Sequence, residues 1–422
     1  MEISKFYRKL IEQDLKFSTD SRNIPEGAVF FALKGENFNG NLFAQESLEK
    51  GASYAVVDEG DYHDERIIKV NDVLDFFKEL ATFHRNCFDI PVLAIAGSNG
   101  KTTTKNLLAQ CISKKYKTHF TAGNFNNQIG VPITLLQMPE DTEFAIIELG
   151  TNYPGEVEIL CNIANPTHGI ITNIGKEHLE GFGTLEAVAK EESELYLYLE
   201  KHNGTAFINA DDEWLSRMSR RLEHKVLYSK GNYKNVSLIP EIEFDYHDLH
   251  FNSSLMGDYN LDNIAAAVSI SEHFGVGLEK VRDAVNAYTA GDNRSQIIRT
   301  NHNMIWLDAY NANPSSMEKS IANFKNLGHE NKILILGDMF ELGEQATEEH
   351  NALLQWATSL GFSEILLLGD EFKKVAPHSG LEAFKSMEAL LEHIKVKEYR
   401  DSAFLIKGSR GMRMETAVEA IP

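Results

Sequence analysis

The sequence has few cysteines and no long apolar run. Its 422 residues include three cysteines, Cys87, Cys111 and Cys161, which form no C-x-x-C pair and give no sign of a zinc cluster or a disulfide framework. No apolar stretch approaches the ~20 residues that a membrane helix needs, and the first residues lack the pattern of a secretory signal. These absences predict a soluble, cytoplasmic protein that does not insert into a membrane.

Positive charge is also scarce. The chain carries 41 Lys and Arg against 62 Asp and Glu, which gives a formal net charge of −21. Because so acidic a chain repels nucleic-acid backbones and anionic lipid heads, we expect no nucleic-acid partner. Any phosphate that the protein binds must therefore be held by backbone N–H groups and a few well-placed cations.

Short apolar runs alternate with helical patterns along most of the chain. Runs such as 144–150 and 169–175 end in Gly, Asn or Asp, as expected for strands that are buried on both faces of a mainly parallel sheet. Residues 225–256 alternate more strongly and predict antiparallel strands. We predict an α/β protein of three domains, namely a small N-terminal α/β domain (1–87), a central parallel-sheet domain (88–295) and a C-terminal Rossmann-like domain (296–422).

The stretch AIAGSNGKTTT (94–104) ends like a phosphate-binding loop but departs from the usual spacing. In the pattern G-x-x-x-x-G-K-[ST] the first glycine would stand at Ile95. A glycine-rich turn between a strand and a helix still offers backbone N–H groups, a helix N-terminus and a lysine to phosphate. This context favours a nucleotide site over a chance turn. The site would comprise Gly97, Ser98, Asn99, Gly100, Lys101, Thr102 and Thr103.

With its first glycine at position 97, this loop resembles that of the Mur ligase family, which are ATP-dependent amide-forming enzymes of cell-wall synthesis. The loop variant G-[ST]-N-G-K-T-[ST] is accompanied, in order along the chain, by NFNNQIGVPITLL (124–136), TNIGKEHLEGFGT (172–184), DAYNANPSSM (308–317) and IKGSRGMRME (406–415). The resemblance implies that ATP phosphorylates a substrate carboxylate and that an amine attacks the resulting acyl phosphate. It implies ATP and Mg²⁺ as cofactors, and we expect a monomer.

The motifs most resemble those of family members that join D-alanyl-D-alanine to UDP-N-acetylmuramoyl-tripeptide, which implies that the N-terminal domain binds the UDP substrate. The third residue of that tripeptide stays open between diaminopimelate and lysine. Three alternatives are the related ligase that adds the third stem amino acid, a folyl-polyglutamate synthase and an ATP-binding regulator without catalysis. Phosphate release with each pair of acceptor and amine would separate them.

The resemblance assigns roles to residues of all three predicted domains. The implied catalytic residues are Lys101, Glu148, His178 and Arg294. The implied ATP contacts outside the loop are Asn260, Asn263, Arg294 and Asp308. The implied substrate contacts are Ser18, Thr19, Ser21, Arg22, Asn126, Asn127, Asn311, Lys407, Ser409 and Arg410. The implied metal ligands are Thr102, Glu148, His178 and Glu192.

Some of these residues also have simpler interpretations. Asn260 and Asn263 lie three apart on one helix face, where amide groups can read adenine or cap the helix. The serines and Asp20 near residue 20 can form an ordinary turn, and a histidine in a loop such as His178 is commonly a surface residue.

Glu192 is a departure from the family pattern. Members commonly have a lysine that carries a carbamate formed from CO₂. This lysine stands four residues before the aromatic residue that corresponds to Tyr196. This chain has Glu192 there, and Lys190 is about 200° away around a helix. We predict that the Glu192 carboxylate replaces the carbamate; in the alternative, Glu192 is a solvated surface charge.

Overall fold

The computed structural model describes residues 2–422. These residues form two compact units. The first contains residues up to Ala94 with Lys117–Gly150 and Val157–Thr167, and the second contains Ile95–Tyr116, Thr151–Glu156 and His168–Pro422. The predicted α/β class with parallel sheets is confirmed, whereas the predicted domain boundaries stay predictions.

The first 96 residues contain a small parallel sheet between helices. Its elements are α1 (Ile3–Glu12), β1 (Phe17–Ser18), β2 (Val29–Phe31), β3 (Lys34–Gly35), β4 (Phe38–Asn39), α2 (Ala44–Glu49), β5 (Tyr54–Val57), β6 (Ile67–Lys69), α3 (Val73–Asn86) and β7 (Val92–Ala96). The sheet order is β1-β2-β5-β6, with every pair parallel. Aromatic rings fill the space between sheet and helices; Phe31 and Phe77, for example, have ring centroids 4.7 Å apart.

The middle of the chain supplies the next elements. They are α4 (Lys101–Ile112), β8 (Thr118–Phe120), α5 (Gly130–Leu136), β9 (Phe144–Glu148), α6 (Glu156–Ala164), β10 (His168–Ile171), α7 (Leu179–Phe182), α8 (Leu185–Glu192), α9 (Glu194–Lys201), β11 (Thr205–Asn209), α10 (Glu213–Met218) and β12 (Lys225–Tyr228). In the first unit β8 pairs parallel to β9, and in the second β10, β11 and β12 pair parallel in that order.

The prediction of antiparallel strands throughout 225–256 is wrong for β12. This strand pairs parallel to β11, with Ala206 opposite Lys225. The reason is that α10 lies between the two strands in the chain and provides the crossover that a parallel pair requires. The prediction is confirmed for β13 (Lys234–Ser237), β14 (Ile242–Tyr246) and β15 (Leu249–Ser253), which form an antiparallel sheet.

The remainder of the chain begins with two helices, α11 (Asp258–His273) and α12 (Leu278–Ala287), which pack against α4. A second α/β layer structure follows. Its elements are β16 (Gln296–Arg299), β17 (Asn303–Leu307), α13 (Pro314–Lys325), β18 (Asn331–Gly337), α14 (Ala346–Ser359), β19 (Glu364–Leu368), α15 (Asp370–Val375), β20 (Ala383–Phe384), α16 (Met387–Lys397) and β21 (Ser402–Lys407). The sheet order is β16-β17-β21-β18-β19-β20, and only β16 is antiparallel to its neighbour.

Apolar cores lie on both faces of this sheet. Trp306 packs in one core against Phe324, while Ile305 and Phe404 belong to the other. Alternate residues of each strand thus enter opposite cores, which explains the continuous apolar runs in the sequence. The carboxyl ends of the parallel strands meet at one edge, where Asp308, Asp338 and Gly408 follow β17, β18 and β21. No helix within residues 2–422 is both long enough and apolar enough to cross a bilayer.

Candidate active site

The loop between β7 and α4 requires glycine at two positions. Gly97 and Gly100 have φ angles of +111° and +86°, which side chains of L-residues rarely adopt. A Cβ on Gly97 would lie 2.4 Å from Thr172 Oγ1, and one on Gly100 would lie 2.5 Å from Asn263 Oδ1. Ile95 is fully buried in β7, so the first glycine of the turn comes after the strand ends.

The segment after β10 braces this loop. Ser98 donates its N–H to Asn173 O at 2.9 Å and its hydroxyl to Gly175 O at 3.1 Å. Asn99 O accepts from Thr172 Oγ1 and from Asn173 Nδ2, each at 2.7 Å. The brace was not predicted from the sequence. The only signal for it was the position of TNIG at the end of a buried strand.

Lys101 begins α4 and folds back over the loop. Its ammonium donates to Gly97 O and lies 3.9 Å from Glu177 Oε2. Thr102 and Thr103, the next residues of the helix, are buried. The predicted nucleotide loop thus has a lysine at its centre, a helix N-terminus and a backbone that is braced by the segment after β10.

Glu192 lies under the loop. The carboxylate is only 1% exposed, and Oε2 accepts the N–H of Gly97 at 2.7 Å, whereas Oε1 has no hydrogen-bond partner. Burial raises the pKa of Glu192 to about 8, with Lys101 opposing the increase and Glu177 adding to it. The alternative prediction of a solvated surface charge is therefore wrong. Lys190 is exposed, as predicted from its place on the opposite face of α8.

Glu177 is a buried carboxylate that sequence reasoning missed. It is 4% exposed, its Oε1 has no hydrogen-bond partner, and Oε2 faces both Lys101 and His178 Nε2, the latter at 3.7 Å. Its place directly before the predicted His178 was the only signal in the sequence. Glu177 and Glu192 together put two buried carboxyl groups near the ammonium of Lys101.

His178 joins this region to the loop after β18. Its Nδ1 lies 2.6 Å from Glu341 Oε2, and both residues have left-handed backbones, with φ of +44° and +63°. The Glu180 N–H donates to Glu341 O at 3.0 Å, and Gln345 Nε2 donates to Gly183 O at 2.7 Å. His178 is therefore held in a specific place and is not a loose surface histidine.

Glu148 and the two asparagines of NFNNQIG lie in the first unit. Asn126 Nδ2 donates to Glu148 Oε1 at 2.9 Å, so the amide orients the carboxylate at the end of β9. Asn127 Oδ1 accepts the N–H groups of Ile129 and Gly130, at the start of α5. The predicted contacts of these asparagines to substrate stay predictions.

The predicted adenine contacts are deep in the second unit. Asn260 and Asn263 are 1% and 5% exposed. Asn263 Nδ2 donates to Asn260 Oδ1, Asn260 Nδ2 donates to Met256 O, and Thr104 Oγ1 donates to Asn263 Oδ1. The bond from Thr104 joins α11 to α4, and Asn263 also lies close to Gly100 of the loop, a packing role that the sequence did not reveal. The adenine contact stays a prediction.

Residues after β17 and β21 form a second cluster. Lys407 Nζ lies 2.6 Å from Asp308 Oδ2, and Ser320 Oγ donates to the same oxygen at 2.8 Å. Lys407 and Ser409 are 2% and 1% exposed, and their predicted role as substrate contacts stays a prediction. Their polar groups are directed to the protein, because Lys407 pairs with Asp308 and Ser409 Oγ accepts the Phe340 N–H.

Two arginines of this cluster face one tyrosine. The guanidinium carbon of Arg294 is 3.4 Å from the centroid of the Tyr310 ring, and that of Arg410 is 5.8 Å away. Arg410 is exposed and also pairs with Glu415 at 3.2 Å. Asn311 is exposed. Arg410 and Asn311 are thus the predicted substrate contacts of this region that are open to solvent.

The N-terminal group of predicted contacts is an ordered turn. Ser18 Oγ donates to Asn23 O at 2.8 Å, and Arg22 makes two bonds to the Asp20 carboxylate, at 2.9 and 2.8 Å. Ser21 is buried, Thr19 is partly buried and the Arg22 side chain is 88% exposed. The turn interpretation is confirmed, and contacts to the UDP substrate stay a prediction.

Three domain profiles match the chain. "Mur ligase family, catalytic domain" matches residues 17–85, "Mur ligase middle domain" matches 95–271 and "Mur ligase, glutamate ligase domain" matches 293–410. They span the turn near residue 20, the phosphate loop and the cluster after β17.

Similar proteins cover nearly the whole chain. The UDP-N-acetylmuramoyl-tripeptide–D-alanyl-D-alanine ligase of Escherichia coli (strain K12) is 32% identical, over 96% of this chain and 93% of that protein. A crystal structure of MurF from Acinetobacter baumannii has a TM-score of 0.87 at 28% identity, covering 96% and 92% of the two chains. MurF ligase from Thermotoga maritima in complex with ADP has a TM-score of 0.86 at 26% identity, covering 96% of each. The chain therefore belongs to the Mur ligase family of ATP-dependent ligases.

Proposed function

We propose that this protein joins D-alanyl-D-alanine to UDP-N-acetylmuramoyl-tripeptide in an ATP-dependent reaction of peptidoglycan precursor synthesis. The observation that carries the proposal is the braced phosphate loop, in which Gly97, Gly100 and Lys101 surround the start of α4. The full-length similarity to tripeptide–D-alanyl-D-alanine ligases supports the choice of substrates.

The chemistry places negative charge on phosphoryl and carbonyl oxygens, so the site has to supply positive groups at fixed positions. The N-terminus of α4 and Lys101, together with the loop N–H groups other than those of Gly97 and Ser98, would hold the terminal phosphates of ATP. Arg294 would contact the γ-phosphate from the segment before β16. The tripeptide carboxylate would attack the γ-phosphorus and displace ADP, which gives an acyl phosphate. The amine of the dipeptide would then attack the acyl carbon, and inorganic phosphate and a proton would leave as the amide bond forms.

The residues present also suit Mg²⁺. Within residues 2–422 no three acidic, His or Cys side chains are already grouped as a metal site. Mg²⁺ does not require such a cage, because it commonly takes one or two carboxylates together with phosphates and water. The buried Oε1 of Glu192 has no hydrogen-bond partner, and a cation would compensate for its burial. Mg²⁺ would neutralise phosphate charge. Thr102 and Glu148 are the proposed ligands of one ion, and His178 and Glu192 are the proposed ligands of a second.

The proposed substrate contacts fall into separate groups of residues. Arg410 is exposed beside Asn311 and suits the carboxylate of D-alanyl-D-alanine, because guanidinium can bond both oxygens. The turn of Ser18, Thr19, Ser21 and Arg22 would bind the UDP end of the other substrate, and Asn126 with Asn127 its peptide end. Lys407 acts through Asp308 in this proposal.

Phosphate release from ATP, measured with each pair of acceptor and amine, tests the proposal. Turnover is expected only when UDP-N-acetylmuramoyl-tripeptide and D-alanyl-D-alanine are both present. Turnover with UDP-N-acetylmuramoyl-dipeptide and a third amino acid would instead identify the preceding ligase, and turnover with a folate and glutamate would identify a folyl-polyglutamate synthase. ATP binding without turnover in any mixture would identify a regulator.

A further inference from the structure

The segment Asp308–Tyr310, which follows β17, contacts the segment Asn293–Ser295, which precedes β16, at each of its three residues. Asp308 Oδ1 accepts the N–H of Ser295 at 3.1 Å, and the N–H of Ala309 donates to Asn293 O at 2.9 Å. The ring of Tyr310 covers the guanidinium of Arg294 at 3.4 Å. Backbone and side chain of the Arg294 segment are therefore both fixed from the segment Asp308–Tyr310.

Residues 292–295 would not keep their backbone conformation without contacts to neighbouring residues. Asp292, Asn293 and Ser295 have φ angles of +54°, +56° and +47°. A left-handed backbone costs roughly 1–2 kcal/mol for a residue with a side chain, so three such residues in a row of four persist only where neighbours enforce them. The bonds from Asp308 and Ala309 provide that enforcement.

Asp308 is itself fixed. Lys407 and Ser320 both bond its Oδ2, at 2.6 and 2.8 Å, which leaves Oδ1 directed at Ser295. Burial alone would raise the pKa of Asp308, but the ammonium of Lys407 and the hydrogen bonds hold that pKa below its usual value. The carboxylate therefore stays ionised and stays in place.

Arg294 carries a charge that the protein does not neutralise. Across residues 2–422 no ion pair joins it to an acidic side chain, although the chain has 62 acidic residues, and its Nε has no hydrogen-bond partner. The guanidinium of Arg410 approaches the same ring. A stacked guanidinium without an acidic partner keeps its N–H groups available to an anion.

We propose that Tyr310 is a positioning residue for Arg294, and that stacking on its ring presents the guanidinium to the γ-phosphate of ATP. This inference rests on the proposed function, since it takes ATP as the anion. It adds a specific role for Tyr310, whose ring faces both Arg294 and Arg410.

The test measures nucleotide binding by the full-length protein. Calorimetry with Mg²⁺ compares the β,γ-imido analogue of ATP with ADP for the native protein, Tyr310→Leu and Tyr310→Phe. Tyr310→Leu should bind the ATP analogue about tenfold more weakly, with little change for ADP, because an effect of this size lies within the usual range for a guanidinium stacked on an aromatic ring. Tyr310→Phe retains the ring and should bind both nucleotides within about twofold of the native protein.

Arg294→Ala is the matched control, and it should show the same selective loss for the ATP analogue. Equal weakening of both nucleotides in Tyr310→Leu, or no weakening, would overturn the positioning role. If Tyr310→Leu does not fold by circular dichroism, Tyr310→Met replaces it with the same expected and contrary results. Failure of the native protein to bind either nucleotide would instead contradict the proposed function.

Discussion

A buried carboxylate beside a phosphate loop needs a compensating positive charge to stay ionised. Glu192 has that need, since burial raises its pKa and only Oε2 receives a hydrogen bond, from Gly97. Lys101 supplies one nearby positive charge, but its ammonium also lies close to the carboxylate of Glu177. The centre of this site is thus one lysine near two buried carboxyl groups, and a second cation could be bound there.

Replacing Lys101 tests the centre of the loop. Lys101→Ala should lower the rate of phosphate release by roughly a hundredfold or more, because one placed cation stabilises charge that develops on phosphate. The matched control is Lys190→Ala, which removes an exposed lysine from α8. Near-native turnover of a folded Lys101→Ala protein would contradict the assignment of the loop.

Replacing Glu192 tests the substitution of carboxylate for carbamate. Glu192→Gln should raise the Mg²⁺ concentration for half-maximal activity by about tenfold or more, as expected for loss of a charged ligand, while Lys190→Ala should leave it unchanged. Native activity should not respond to added bicarbonate. Rescue of CO₂-depleted enzyme by bicarbonate, or a carbamate on Lys190 detected by mass spectrometry, would refute the prediction.

At the scale of elements, the contact between two loops is the feature that the sequence concealed. The loop 177–183 and the loop 338–345 are joined through His178 and Glu341, and the second loop is held by His350, whose Nε2 accepts the Met339 N–H at 2.9 Å. The backbone of Glu341 is left-handed there. Substitutions can therefore separate two effects of this residue, namely the contact of its carboxylate with His178 and the strain of its backbone.

Two variants make that separation. Glu341→Ala and Glu341→Gly both remove the carboxylate from His178, but only glycine adopts φ of +63° without strain. Urea denaturation followed by tryptophan fluorescence should show the alanine variant to be less stable by about 1 kcal/mol. Equal midpoints for the two variants would mean that the loop relaxes and that the strain is not stored in the native protein.

The sequence predicted the elements better than their contacts. Buried strands such as β17 and β18 could be recognised in the sequence as apolar runs, because both of their faces enter apolar cores. The pairing direction of β12 could not be recognised in this way, because it depends on the crossover through α10. For the site, the loop glycines were predictable from local backbone requirements. Glu177, Glu341 and the stacking of Arg294 on Tyr310 were not, because they depend on how distant loops pack.

At the scale of the whole molecule, buried histidines link stability to pH. Burial lowers the pKa values of His84, His119, His168 and His350, with His168 at about 4. In the unfolded chain these groups titrate near 6.5, so the unfolded state binds more protons below that pH. The stabilising contribution is present above pH 6.5 and is lost as the pH falls towards 4.

The urea midpoint should therefore fall as the pH is lowered from 7 to 5. His168 packs against Phe274 and Phe207, with ring centroids 4.9 and 6.3 Å apart, so His168→Phe should fold and should show a smaller decrease. When the free energy of unfolding is plotted against pH, the slopes for the native protein and His168→Phe should differ by less than about 1.4 kcal/mol per pH unit, which is the limit for one proton. Parallel curves for the native protein and His168→Phe would show that this histidine does not contribute.

The bonds between Asp308–Tyr310 and Asn293–Ser295 also anchor Arg294 to the C-terminal sheet. Ser295 is followed directly by β16, the edge strand of that sheet, and Asp308 and Ala309 tie the preceding residues to the end of β17 in the same sheet. Arg294 therefore precedes the sheet in the chain but belongs with its edge in the structure.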